Sequence, residues 1–239
     1  MPIGIRNEGN RCYQICVEQS LRSIENHFDT RIPRSNIHSS LTKYRNPREQ
    51  HDAHEFLMHA LESFEKWKDF KRFFEGRFTS EITYSCGHCV ESKVPCTVLS
   101  VPLYKTLEDM ICSLESKDKV ESVCDTCNVK RSAEKHMYVS SLPFVCIFHL
   151  IRFDYNGIKR NDDVDIPLSW NFLRDEGRYV CKAFIVHHGV VSGGHYVCFV
   201  CYLDIWYCCN DNNVTRIADI TDALKKAYIL FYVLDKRKK

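Results

Sequence analysis

An α+β fold is what this sequence predicts, and three observations carry the prediction. Helical periodicity is confined to the first third of the chain. Short β-branched and aromatic runs, separated by turn residues, fill the rest. No internal repeat or low-complexity linker divides the two. At 239 residues the chain can bury a sizeable core, either as one domain or as one domain with a subdomain. A net charge of +2 is too near neutral to suggest a nucleic-acid or membrane-surface footprint.

The elements follow in chain order. From Cys12 to Ile24 the apolar residues Cys16, Val17, Leu21 and Ile24 recur near helical spacing. A second helix is clearer, because Ala53, Phe56, Leu57, Ala60, Leu61 and Phe64 fall on one helical face. Asp52 is its expected N-cap, Glu55 completes a capping-box pattern, and Pro47 stands just before it. From Phe73 onward the pattern is short strands. Leu142 to Leu150 is about half a membrane span and reads as a buried strand. Tyr179 to Val186, His195 to Tyr202, Ile205 to Cys209 and Tyr228 to Leu234 read as strands, with a turn at Asp211-Asn212-Asn213. The Lys236-Arg237-Lys238-Lys239 tail reads as a solvated terminus, with a weak nuclear signal as the alternative. No apolar run follows the basic N-terminal residues, so a signal peptide is not expected.

Fourteen cysteines need an account. Cys146, Cys181, Cys198, Cys201, Cys208 and Cys209 lie within apolar runs and read as small buried hydrophobes, in a reducing compartment. Cys86-Gly87-His88-Cys89 and Cys124-Asp125-Thr126-Cys127 form two CxxC pairs. Two such turns supply four thiolates, which suit one tetrahedral zinc and leave no open position for catalysis. The expected ligands are Cys86, Cys89, Cys124 and Cys127, with His88 as an alternative to one sulfur.

Cys12 stands apart. It follows the loop Gly4-Ile5-Arg6-Asn7-Glu8-Gly9-Asn10-Arg11 and opens the first helix. The positive end of a helix stabilises a thiolate and can lower a cysteine pKa from ~8.5 towards ~3.5–7.5. A nucleophilic cysteine also needs a histidine base and a group that orients it. His195 follows Ser192-Gly193-Gly194, where bare backbone would let an extended substrate pass, and it precedes an apolar strand. Asn210 can orient an imidazole by accepting its Nδ1–H, and Asp211 is the neighbouring alternative. The order Cys, His, Asn is that of papain-like proteases. Asn7 is the candidate side-chain donor to an oxyanion, with the Cys12 backbone N–H as a second donor and Asn10 as a competitor.

These blocks together resemble the ubiquitin-specific proteases, papain-like cysteine deubiquitinases. The Cys box is Gly4 to Tyr13, and the second block is Gln50-His51-Asp52-Ala53-His54-Glu55-Phe56-Leu57. Phe74-Glu75-Gly76, the CxxC pairs, Leu142-Pro143-Phe144, His149 to Phe153 and Lys159 follow. The His box, His187-His188-Gly189 to Gly193-Gly194-His195-Tyr196, then Trp206 to Val214 and Ala227 to Tyr232, complete the series. The resemblance covers essentially the whole chain.

It implies a hand-like fold: a helical thumb over about residues 1–72, zinc-bearing β fingers over about 73–145 and a β palm over about 146–239. It implies hydrolysis of the isopeptide or peptide bond after the terminal Gly-Gly of ubiquitin. Cys12 would be the nucleophile, His195 the base and then the acid, Asn210 the orienter and Asn7 the oxyanion donor. Gln50, Asp52, Gly193, Gly194 and Tyr196 would line the channel for ubiquitin's tail. One structural zinc, ubiquitin or ubiquitinated proteins as partners, a monomeric state and an intracellular location, cytoplasmic or nuclear, are the accompanying expectations, with no nucleic acid and no membrane. A protease for another modifier ending in Gly-Gly and a non-catalytic ubiquitin-binding relative are the alternatives. The sequence departs from the family's pattern at Arg11, Gln14 and Ile15. Arg11, beside Cys12, would either depress the thiol pKa further or point to solvent.

Overall fold

The structure is a computed structural model that describes residues 1–32, 44, 46, 49–171, 177–190 and 193–235. Pro47, Ser192 and the Lys236-Arg237-Lys238-Lys239 tail lie outside the described residues.

Helix α1 (Cys12–Glu25) buries Cys16, Val17, Leu21 and Ile24, the residues marked by its periodicity. Gln14 and Ile15, two of the departures, are buried in it as well, and Gln14 Nε2 donates to the Tyr13 hydroxyl at 3.2 Å. Helix α2 (Ala53–Phe64) buries Ala53, Phe56, Leu57, Ala60, Leu61 and Phe64. Burying a large apolar side chain is worth about 1.5–3 kcal/mol. This face therefore outweighs the few tenths of a kcal/mol by which residues differ in helix propensity. A short helix α3 (Phe70–Phe74) follows, and Phe73 stacks on Phe28 with ring centroids 4.2 Å apart.

The chain then runs through β1 (Gly76–Tyr84), β2 (Cys89–Cys96), β3 (Leu99–Pro102), helix α4 (Leu107–Cys112), β4 (Ser116–Cys124) and β5 (Val129–Ser141). After these come β6 (Val145–Ile151), β7 (Ser169–Asn171), β8 (Arg178–Val190), β9 (Gly193–Tyr202), β10 (Ile205–Asn210) and β11 (Asn213–Ile217). A single helical turn, α5 (Thr221–Leu224), leads to β12 (Ala227–Leu234).

The strands form two sheets. A four-stranded sheet has the order β2-β1-β5-β4 and is antiparallel throughout. An eight-stranded sheet has the order β11-β10-β9-β8-β12-β6-β3, with β7 paired to β8. Strand β3 pairs in parallel with β6. It therefore lies in the large sheet although it falls within the 73–145 stretch expected to form the fingers. The cause is burial: Leu99, Val101, Leu107 and Met110 fill the core behind β6, so the chain leaves the small sheet to cover that face.

The large sheet is covered on both faces. Ile147, Ala183, Ile185, Ile229 and Phe231 face α1 and α2. The alternate residues Cys146, Phe148, Phe184, Leu230 and Tyr232 face β3 and α4. Strands buried on both faces need no polar alternation, which explains their near-continuous apolar runs. Cys146, Cys181, Cys198, Cys201 and Cys209 are buried in these layers, and all cysteines are free thiols. No described helix is long and apolar enough to cross a membrane.

Candidate active site

Cys12 is the first residue of α1 and is only 3% exposed. The preceding residue, Arg11, makes no side-chain cap. Asn7 instead ties the preceding loop together, its Oδ1 accepting from the N–H groups of Gly9 at 3.2 Å and Arg11 at 3.1 Å. Burial pushes the Cys12 thiol above its ordinary pKa. The Tyr196 N–H opposes this, the Asp211 carboxylate adds to it, and the N–H groups of Tyr13 and Cys12 itself oppose it. The helix terminus therefore acts in the expected direction, but desolvation wins. The structure thus corrects the expectation of a depressed thiol pKa in the free protein. The Arg11 charge bears instead on the neighbouring Tyr13 phenol.

His195 is the third residue of β9, and Asn210 is the last residue of β10. These strands are paired, and His195 Nε2 lies 2.7 Å from Asn210 Oδ1. An amide oxygen only accepts, so the proton of a neutral His195 sits on Nε2 and the Nδ1 lone pair is free. The sequence reading assigned Nδ1 to Asn210; the structure reverses the two nitrogens. Asp211, with φ 52°, occupies the turn between β10 and β11 and points elsewhere. Its Oδ2 accepts from Asn7 Nδ2 at 3.1 Å, while its Oδ1 is buried without a partner. Gly4 abuts the same turn: a Cβ there would lie 2.2 Å from the Asn212 carbonyl oxygen. Close approach lets Ile5 N–H donate to the Asp211 carbonyl at 3.0 Å. Asn210 thus meets His195 while Asp211 holds Asn7. No hydrogen bond joins Cys12 to His195 among the described residues.

The joint between helices and sheet centres on Asp52. Its Oδ1 caps α2 by accepting from His54 N at 2.8 Å and Glu55 N at 3.0 Å. Its Oδ2 accepts from the hydroxyls of Tyr196 at 3.0 Å and Tyr228 at 2.7 Å. Gln50 reaches β9, where Nε2 donates to the Gly194 carbonyl at 2.9 Å and Oε1 accepts the Gly194 N–H at 3.0 Å.

A cleft of about 350 Å³ opens between these groups, lined by Cys12, Gln50, Asp52, Gly194 and Tyr196 and also by Phe153, His187 and Tyr228. His187 and Tyr228 stood in the matched blocks without an assigned role. Strand geometry places them: His187 is the register partner of Tyr196, and Tyr228, the second residue of β12, shares Asp52 Oδ2 with Tyr196. The two glycines differ in what they face. A Cβ on Gly194 would lie 2.2 Å from His187 Nε2, so the neighbouring ring already excludes a side chain there. A Cβ on Gly193 would meet only Gln50 Oε1, at 3.8 Å.

At the far end of the small sheet, Cys86, His88, Cys124 and Cys127 present donor atoms within 4.8 Å of one another. His88 Nδ1 lies 3.5 Å from Cys86 Sγ and 3.4 Å from the sulfurs of Cys124 and Cys127; Cys86 and Cys124 are 3.8 Å apart. Ligands at zinc's usual bond lengths form a tetrahedron with edges of about 3.5–3.8 Å. The donor set therefore fits a tetrahedral zinc ion. Cys89 is not in it. It pairs with Thr83 across β1 and β2, is exposed, and only receives the Thr83 hydroxyl at 3.8 Å. His88 replaces it in the cluster.

The sequence model described as "Ubiquitin carboxyl-terminal hydrolase" matches residues 25–232, and the chain belongs to that family. The match begins after Cys12 and Asn7, so the loop that carries them rests on its own geometry. Two relatives from Arabidopsis thaliana are ubiquitin carboxyl-terminal hydrolase 20, 32% identical over 214 residues, and ubiquitin carboxyl-terminal hydrolase 23, 28% identical over 240. These alignments cover 77% and 85% of this chain but only 31% and 28% of those proteins. The chain thus spans about a third of the length of these curated relatives. Among solved structures, the SAGA DUB module containing Ubp8, bound to monoubiquitin, superposes with a TM-score of 0.78 at 21% identity, covering 98% of this chain and 69% of that one. The same module bound to ubiquitin aldehyde gives 0.77.

Proposed function

We propose that this chain is a thiol-dependent ubiquitinyl hydrolase that cleaves the isopeptide or peptide bond after the terminal Gly-Gly of ubiquitin. The observation that carries the reading is the His195–Asn210 hydrogen bond on the strand that also contacts Cys12. Family membership supports the reaction type, and the ubiquitin bound to the superposed SAGA modules supports the substrate.

Each residue has a definite task. The Cys12 thiol gives its proton to His195 Nδ1, and the sulfur attacks the carbonyl of the terminal glycine. Asn210 Oδ1 keeps the Nε2–H in place and stabilises the imidazolium. Asn7 Nδ2 has a second N–H beyond the one given to Asp211, and this bond with the Cys12 backbone N–H can meet the oxyanion. His195 then returns the proton to the leaving amine, and water hydrolyses the thioester with His195 again as base. The cleft beside Cys12 takes the tail. Cys86, His88, Cys124 and Cys127 would hold one zinc ion, and four protein donors would give it a structural part with no open position for chemistry.

The test is ubiquitin carrying an electrophile at its C-terminus. One adduct on Cys12 is expected, absent in Cys12→Ala. An adduct that survives Cys12→Ala, or none in the wild type, refutes the reading. Reaction only with a different Gly-Gly modifier would reassign the substrate.

A further inference from the structure

Among the described residues, no strand pairs with the edge of β9 that leads to Cys12, and this chain fills that edge with its own side chain. Strand β10 pairs with β9 only as far as Cys198, while β8 holds the opposite edge out to Gly193. Along an antiparallel strand the backbone groups of alternate residues point to the same edge. The Tyr196 N–H points to Cys12, and the Gly194 N–H and C=O, two residues earlier, both point to Gln50. Two residues of extended chain span about 6.7 Å. A peptide with its reacting carbonyl at Cys12 and its backbone along this edge therefore reaches Gly194 within two residues.

A carboxamide carries the same donor–acceptor pair as a peptide unit. Through Nε2 and Oε1, Gln50 takes up both Gly194 groups that an added strand would use. We propose that Gln50 is an internal stand-in for the substrate's backbone, a latch that the incoming tail must displace before it pairs with Gly194. This deepens the ubiquitin reading above and rests on it. It also departs from a role for Gln50 as a substrate contact. The latch is built to open. Gln50 is exposed, so its two neutral hydrogen bonds can be exchanged for water, whereas Asp52, two residues on, is tied to α2, β9 and β12 at once.

A competing latch lowers the apparent affinity by the fraction of molecules in which it is closed. Two exposed neutral hydrogen bonds correspond to an effect of about 5-fold. The experiment measures the Kd of free ubiquitin, and of ubiquitin lacking its last two glycines, for the wild type, Gln50→Ala and the isosteric Gln50→Leu. Both variants should bind full-length ubiquitin about 5-fold more tightly, with no change for the truncated form. Weaker or unchanged binding of full-length ubiquitin overturns the latch while leaving the proposed function intact. Equal tightening for both ligands also overturns it, because the effect would not arise at Gly194. A wild type that binds neither ligand removes the proposed function and the latch together.

Discussion

Cys12 pairs a reactive type of position with an unreactive environment. The N–H groups of the first turn and of Tyr196 favour the thiolate, but burial and the Asp211 carboxylate favour the thiol. In the free protein the balance therefore lies towards the thiol. Iodoacetamide should modify Cys12 slowly at pH 7, with the rate rising about tenfold per pH unit for as long as the thiol form predominates. Asp211→Asn keeps an acceptor for Asn7 and removes the charge, so it should speed alkylation several-fold at fixed pH. A rate already at its plateau at pH 7 would contradict this account. Sequence pointed to Cys12 because a loop–helix junction is local. It could not weigh burial against the helix terminus, because the burial comes from β9, far along the chain. The reversed imidazole has the same origin, since the nitrogen that meets Asn210 depends on how β9 and β10 pair.

At the scale of elements, the hairpin tips explain why spacing marked the two turns that cluster yet named Cys89 where the structure brings His88. The β1–β2 turn passes through Gly87 at φ 86°, and the β4–β5 turn through Asn128 at φ 55°. Strand order places β1 beside β5, so the two tips meet. Cys86 and His88, two apart, turn to the same side, while Cys89 already belongs to β2 and its register with Thr83 turns it away. A CxxC pattern records spacing and not the rotation at a glycine. The helices were legible for the opposite reason, since six apolar residues at helical spacing in α2 leave one face to bury whatever lies opposite. Metal analysis should find about one zinc per chain. His88→Ala should lose most of it, and Cys89→Ser should retain it. Zinc that survives His88→Ala and disappears with Cys89→Ser would return the site to four sulfurs.

At the scale of the molecule, the helices and the large sheet meet through histidines that the fold keeps neutral. His54 of α2 stacks on His149 of β6 with centroids 3.8 Å apart and planes 10° apart. Burial lowers the His149 pKa to about 3, with the His54 charge adding to it. Burial also lowers His54, against the nearby Asp52 carboxylate, and takes His187 in the cleft to about 4. An unfolded histidine titrates near 6.5. Between about 6.5 and 4 the unfolded chain therefore binds protons that the folded chain refuses, so stability is full above the unfolded value and falls as pH drops through this window. Each such histidine contributes up to about 1.4 kcal/mol per pH unit. Urea unfolding between pH 7.5 and 4.5 should show a midpoint that falls with pH. His149→Gln has no proton to take up at this position, so it should flatten that dependence by about one proton even if it weakens the joint at pH 7.5. A variant with the wild-type slope would mean that the stacked pair does not couple the joint to pH, and that acid acts on this molecule elsewhere.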